Sequence, residues 1–187
     1  FCTKKLVSPV KYNGKYGFID SKGKWVVNPD YDSLDIFYNG YATSYLNEKE
    51  GLINRKGELI VGHKFDFLGL VENGIALVIT EDDKINYINL KGQFISKINF
   101  NDGGDFGNKL APIQFSKDGK WGYINSSGEI FIDTIYSYAG EFENGKATVD
   151  YGKHHLIINK QGQIIDTIQY INKKRKFELI GNSNSNT

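Results

Sequence analysis

Apolar and polar residues alternate along this chain in short blocks separated by turn residues, with no stretch that keeps the spacing of an amphipathic helix. The clearest block is Lys120 to Ile132, KWGYINSSGEIFI. Aromatic and β-branched residues there flank Asn125-Ser126-Ser127-Gly128, which has asparagine first and glycine fourth, as a type I turn closed by a left-handed residue requires. The pattern predicts a β-hairpin.

Weaker copies of this block recur through the sequence. Taking the residue before the turn as anchor gives Ile19, Ile53, Ile88, Ile124 and Ile158, spaced by 34, 35, 36 and 34 residues. Four residues beyond each anchor stands a glycine, Gly23, Gly57, Gly92, Gly128 and Gly162, followed by two bulky residues such as Trp25-Val26 or Ile164-Ile165. These glycines are the expected structural turn positions. A second feature keeps the same step: Ala42, Ala76, Ala111 and Ala147 each open a short apolar run that suits another strand. The expected fold is all-β, with five three-stranded antiparallel units of about 35 residues. Phe37, Leu70, Phe106 and Phe142 before this strand, with Tyr31, Phe65, Phe100 and Tyr136 after the hairpin, are the expected core.

The Lys-Trp-Gly-Tyr-Ile-Asn run at Lys120 to Asn125, the turn glycine Gly128 and the segment Phe142 to Val149 resemble the WG-repeat (KWG) family of bacterial β-repeat proteins. The resemblance covers almost the whole chain and implies an all-β repeat array; it brings no catalytic residues with it. Only the fourth copy keeps Trp-Gly. The others read Tyr16-Gly17, Glu50-Gly51, Ile85-Asn86 and His155-Leu156, so the third and fifth lack the glycine and are expected to pack differently. Such units close either as an open solenoid or as a propeller-like ring, and the open stack is the leaning. The expected layout is one array over residues 1–180, ending in a capping strand at 177–180, and a disordered tail at 181–187.

Composition narrows the function. Lys+Arg of 23 against Asp+Glu of 22 leaves no broad field for nucleic acid or an anionic membrane, so nucleic acid is not expected as a partner. No apolar run approaches the ~20 residues that span a bilayer. The single cysteine, Cys2, excludes an intrachain disulfide. Followed by polar residues, it resembles the acylated cysteine of a bacterial lipoprotein, which is the reason for expecting a cell-envelope location with membrane contact only through that lipid; a free thiol is the plainer reading. The basic run Lys173 to Lys176 reads as a solvated edge.

Candidate chemistry is sparse. His63, His154 and His155 are the only histidines, and the adjacent pair points to opposite faces of a strand, so no metal site and no cofactor is expected. The segment Asn101 to Asp105 reads as a turn and not a Ca²⁺ loop, and Glu-Asn-Gly at Glu72 and Glu143 recurs because a turn recurs. Tyr38, Tyr41, Tyr45, Tyr138 and Tyr151 exceed the needs of the core and are the candidate binding aromatics. The expected function is a non-catalytic protein-interaction or scaffolding module with an envelope-associated protein partner. A carbohydrate-binding module is the alternative, with the aromatics arranged as a row.

Overall fold

A computed structural model describes residues 7–80 and 82–168 of the 187-residue chain. Cys2, the capping strand expected at 177–180 and the tail expected at 181–187 lie outside the described residues. Within these bounds the chain is all-β, without a helix, and forms five small sheets in which every neighbouring pair is antiparallel.

Sheet 1 comprises β1 (Val7–Tyr12), β2 (Lys15–Asp20) and β3 (Trp25–Tyr31). Sheet 2 runs β4 (Ser33–Leu34), β5 (Tyr41–Leu46), β6 (Lys49–Asn54) and β7 (Leu59–Phe65), and sheet 3 runs β8 (Phe67–Leu68), β9 (Ile75–Ile79) and β10 (Ile85–Asn89). Sheet 4 holds β11 (Asp102–Gly103), β12 (Leu110–Gln114), β13 (Trp121–Asn125) and β14 (Ile130–Tyr136), and sheet 5 holds β15 (Tyr138–Ala139), β16 (Lys146–Tyr151), β17 (His154–Asn159) and β18 (Ile164–Ile168).

The expectation of three strands per unit is corrected here: sheets 2, 4 and 5 have four. The added strand has two residues, too few for any hydrophobic period, and it forms because the chain leaving one sheet pairs at once with the next, as Ser33 does with Tyr45. For the same reason Asp102-Gly103, read from sequence as part of a turn, pairs with Gln114 and Ile113.

The hairpin turns follow from one side chain. Asn125 Oδ1 accepts the backbone N–H of Ser127 at 2.9 Å and of Glu129 at 3.1 Å, and Gly128 N–H closes on Asn125 O at 2.9 Å. Asn54, Asn89 and Asn159 do the same, and Asp20 does so with a carboxylate. Gly128 closes the turn with φ +77, a region that costs glycine little. Asn125→Ala removes the acceptor of two backbone donors and should cost about 1–2 kcal/mol, read as a lower urea midpoint, whereas Asn125→Asp should nearly restore it.

The glycine after the aromatic has a different cause. In sheets 1, 2 and 4 the outer strand bulges: Tyr123 faces Ile132 while Trp121 faces Tyr136, so two residues of β13 oppose four of β14. The bulge brings the outer backbone over the glycine. A Cβ at Gly17 would lie 2.4 Å from Val27 O, at Gly51 2.8 Å from Val61 O, and at Gly122 2.6 Å from Ile132 O. Sheet 3 has Asn86 there, and its buried amide donates to Ser96 O and Ile98 O at 3.3 Å and to Asn99 Oδ1 at 2.8 Å. The outer segment runs as bends, tied to β10 by the bridges Ile85 to Phe100 and Ile88 to Phe94 and by Ile95 N–H to Tyr87 O at 2.9 Å, with no continuous strand pairing. Sheet 5 has Leu156, and β18 pairs without that bulge, Leu156 with Thr167 and Ile157 with Asp166. Both copies lacking the glycine thus depart from the others.

Each apolar cluster spans two neighbouring sheets, so no sheet has a core of its own. Tyr123, Ile132 and Tyr136 of sheet 4 pack with Phe142, Val149 and Ile158. Fully buried Tyr123 and Tyr87 satisfy their hydroxyls by donating to Gly140 O at 2.7 Å and Gly104 O at 2.8 Å. The core assignment of Leu70 is corrected: it is half exposed and Val71 is buried, because the register of Phe37, Phe106 and Phe142 falls on residue 71. Side-chain amides link the turns in series, Asn39 to Val71 O at 3.1 Å, Asn73 to Phe106 O at 3.5 Å and Asn108 to Phe142 O at 3.0 Å.

Candidate functional site

The residues flanking Phe37, Val71, Phe106 and Phe142 cannot follow those side chains into the core, so the turns present them to one side. There they line adjoining hollows that share Glu141, the one along the turns having a volume of about 700 Å³. The carboxylates are Asp35, Glu50, Glu72, Asp105, Glu141 and Glu143, and among the described lining residues Lys146 is the only cation. A chain of nearly balanced charge thus has a local excess of carboxylates along these hollows.

Hydrogen bonds fix these groups. Tyr38 OH donates to Glu72 Oε1 at 2.7 Å, Tyr45 OH to Asp35 Oδ2 at 3.0 Å, Asp105 N–H to Glu141 Oε1 at 2.9 Å and Leu68 N–H to Glu50 Oε2 at 2.6 Å. Burial, with repulsion from Glu141 and Glu72, pushes the Asp105 carboxyl up. Burial does the same to Glu50 against the opposing pull of its Leu68 N–H bond. The hydrogen bond and charge of Glu72 raise the Tyr38 phenol, and burial with the Asp35 bond raises that of Tyr45.

The raised Asp105 pKa carries a stability consequence. Between its unfolded value near 4 and its higher folded value the native state holds the extra proton, so stability falls as pH rises through that window and stays lower above it. Asp105→Asn should therefore raise the melting temperature at pH 7 and flatten this part of the pH profile. The gain should stay below about 1 kcal/mol because the group is only partly buried and water screens it.

Of the five candidate tyrosines, Tyr38, Tyr45 and Tyr138 each line one of the adjoining hollows, and Trp121 lines the one that holds Tyr138. Tyr41 packs beside the cluster between sheets 2 and 3, and Tyr151 lies outside the cleft, half exposed and edge-on to Tyr136 at 6.4 Å. They form no row. The carboxylates escaped sequence reading because they lie far apart in the chain on both sides of a buried residue; the detectable signal was the acidic character of positions 72, 105, 141 and 143 around that register.

Among the described residues one serine–histidine hydrogen bond is present, Ser44 Oγ to His63 Nε2 at 2.9 Å, but Ser44 is completely buried and His63, whose pKa burial lowers, lies tilted against Tyr31 at 5.6 Å. No substrate can reach that hydroxyl, and the pair is part of the packing. His154 and His155 sit side by side on β17, with His155 Nδ1 2.6 Å from Asp150. The cleft therefore offers fixed acceptors and ring faces, the chemistry that holds a cation.

A family model described as WG containing repeat matches residues 16–49, 51–84, 87–121 and 121–153. Among curated proteins, none matches. Among solved structures, the chain is similar to KlHsv2 with loop 6CD replaced by a Gly-Ser linker, a propeller-like protein, at 13% identity and a TM-score of 0.51, covering 85% of this chain and 61% of that one. BamB from Moraxella catarrhalis aligns at 15% identity and a TM-score of 0.44 over 87% of this chain and 57% of that one. A streptogramin B lyase aligns at 13% identity and a TM-score of 0.40 over 89% and 69%. The chain thus spans less than two thirds of the first two, and the likeness concerns fold alone.

Proposed function

Because the chain belongs to the family of WG-containing repeats, we propose that it is a non-catalytic protein-interaction module whose turn cleft receives a basic segment of a partner protein. The observation that carries this reading is the cleft itself, six carboxylates against one lysine with Tyr38, Tyr45, Tyr138 and Trp121 in its walls. Arginine and lysine side chains pair with such carboxylates and lie against such rings. The convergence of turns from sheets 2 to 5, with Asp35 and Glu141 lining one hollow, supports a propeller-like arrangement of five repeat units over an open solenoid. An envelope location through an acylated Cys2 belongs to this proposal on sequence grounds, and intact-mass measurement of protein from its native host tests it.

Binding is tested on an array of basic and neutral dodecapeptides, followed by anisotropy titration of the best binder. Expected are selection of Lys/Arg-rich sequences, weakening by added salt, and roughly tenfold loss in the triple variant Glu72→Gln, Asp105→Asn, Glu141→Gln. Equal binding of wild type and triple variant would sink the assignment of the cleft.

A further inference from the structure

A second cavity lies between β7 and the irregular outer segment of sheet 3, and it touches the acidic cleft only through Ile79. Phe94 is 52% exposed there, as its hairpin counterparts Leu59 and Ile130 are in sheets 2 and 4, but it puts an aromatic ring at that position, edge-on to Phe65 with ring centroids 6.3 Å apart. Phe94, Phe65 and Ile79 form the apolar wall of a notch of about 490 Å³, and Asp66, Thr80, Asp82 and Asn99 supply a polar rim. We propose that this notch is a subsite for a neutral pyranose ring, a binding activity separate from the protein partner assigned to the cleft.

Three observations argue for that class. A pyranose has an apolar C–H face and an equatorial belt of hydroxyls, so it needs a ring face beside fixed acceptors and donors, as Phe94 stands beside Asp82 and Asn99. The rim is ordered in advance: Thr80 OH donates to Asp82, and Asn99 Nδ2 donates to Asp82 Oδ1 at 3.3 Å while its Oδ1 accepts from Asn86. Among the described lining residues it also holds charge of both signs, Lys64 with Asp66 and Asp82, where the cleft is mostly acidic. Asp66 is paired with Lys49, and Lys64 stands over Phe65 at 5.1 Å. An uncharged amphipathic ligand fits an amphipathic site of this volume. The notch also sits at the point where the repeat rule fails, which is where a function grafted onto a regular array is expected.

The probes are the methyl glycosides of glucose, galactose and mannose, offered at millimolar concentration to the whole chain in saturation-transfer NMR, with an array of neutral oligosaccharides to find longer ligands. At least one glycoside should receive saturation at its ring C–H protons. Phe94→Ala should weaken binding at least tenfold, Asp82→Asn severalfold, and Glu141→Gln in the acidic cleft not at all. Phe94→Trp keeps a stacking face and should retain binding, so loss in the alanine variant cannot be put down to misfolding. Absence of transfer to all three glycosides and of any hit on the array, or binding indifferent to Phe94→Ala, overturns the proposal. Preferential occupation by a phenylalanine dipeptide amide overturns it too, in favour of an apolar peptide site. Failure here leaves the basic-peptide test of the cleft untouched, because the residues expected to weaken sugar binding, Phe94 and Asp82, are not varied in that test.

Discussion

Gly122→Ala should cost about 3 kcal/mol or more, enough to leave a marginally stable array largely unfolded well below the wild-type melting temperature. The added Cβ would meet Ile132 O at 2.6 Å, Thr134 N at 2.8 Å and the Asp133 carbonyl carbon at 2.9 Å, all backbone atoms of the bulge in β14 that cannot swing aside as a side chain tip can. Thermal unfolding followed by circular dichroism measures it. Gly62→Ala is the control: a Cβ there meets nothing within 4 Å and its φ is not positive, so the melting temperature should hold or rise slightly. Asn86→Gly in sheet 3 should not rescue the missing strand. It would remove the buried amide that donates to the Ser96 carbonyl and to Asn99 Oδ1, and destabilise instead. A Gly122→Ala protein as stable as wild type would show that the bulge is not what demands glycine.

Phe142→Ala should be of similar size, about 4 kcal/mol, with loss of cooperativity between sheets 4 and 5. The ring is 1% exposed and meets Tyr123 at a centroid distance of 4.9 Å, within the cluster formed by Ile132, Tyr136, Val149 and Ile158. Its backbone is also where the preceding turn lands. Asn108 donates to Phe142 O, and a Cβ at Gly107 would come within 2.2 Å of that same oxygen. Removing the ring empties the core and loosens the seat of Asn108 together. Urea unfolding monitored by tryptophan fluorescence, with Trp121 packed against this cluster, should show a lower midpoint and a broadened transition. An unchanged transition would mean that the two sheets do not depend on each other for their core.

The hairpins were legible because their information is local. An asparagine whose side chain closes on residues two and four ahead, a glycine at the left-handed position and bulky residues on both sides fit within a dozen positions, and five copies in register remove the ambiguity of each. The two aberrant sheets were legible too, from the missing glycine at Asn86 and Leu156. What form they would take was not, because it depends on how Asn86 bonds carbonyls ten and twelve residues away. The two-residue strands, the exchange of Leu70 for Val71 in the core and the pairing of Asp102-Gly103 were missed because each is decided by a neighbouring sheet.

The candidate sites divide in the same way. Tyr38, Tyr45 and Tyr138 stood out in the sequence as surplus aromatics, but nothing there joined them to Glu72, Asp105 and Glu141. The separation of acids from bases is invisible in a net charge of +1, and Phe94 looked like one more hairpin residue.

The sequence by itself determined the family, the all-β class, the position of each hairpin and the copies in which the rule breaks, since these rest on spacing and on contacts within a few residues. The tertiary fold alone settled which side chains are buried between sheets, that carboxylates from several turns line adjoining hollows, and that Phe94, Phe65 and Ile79 wall a notch with Asp82 and Asn99 at its rim. Those features are made by residues of different repeats, brought together because no single sheet can bury its apolar face without the next.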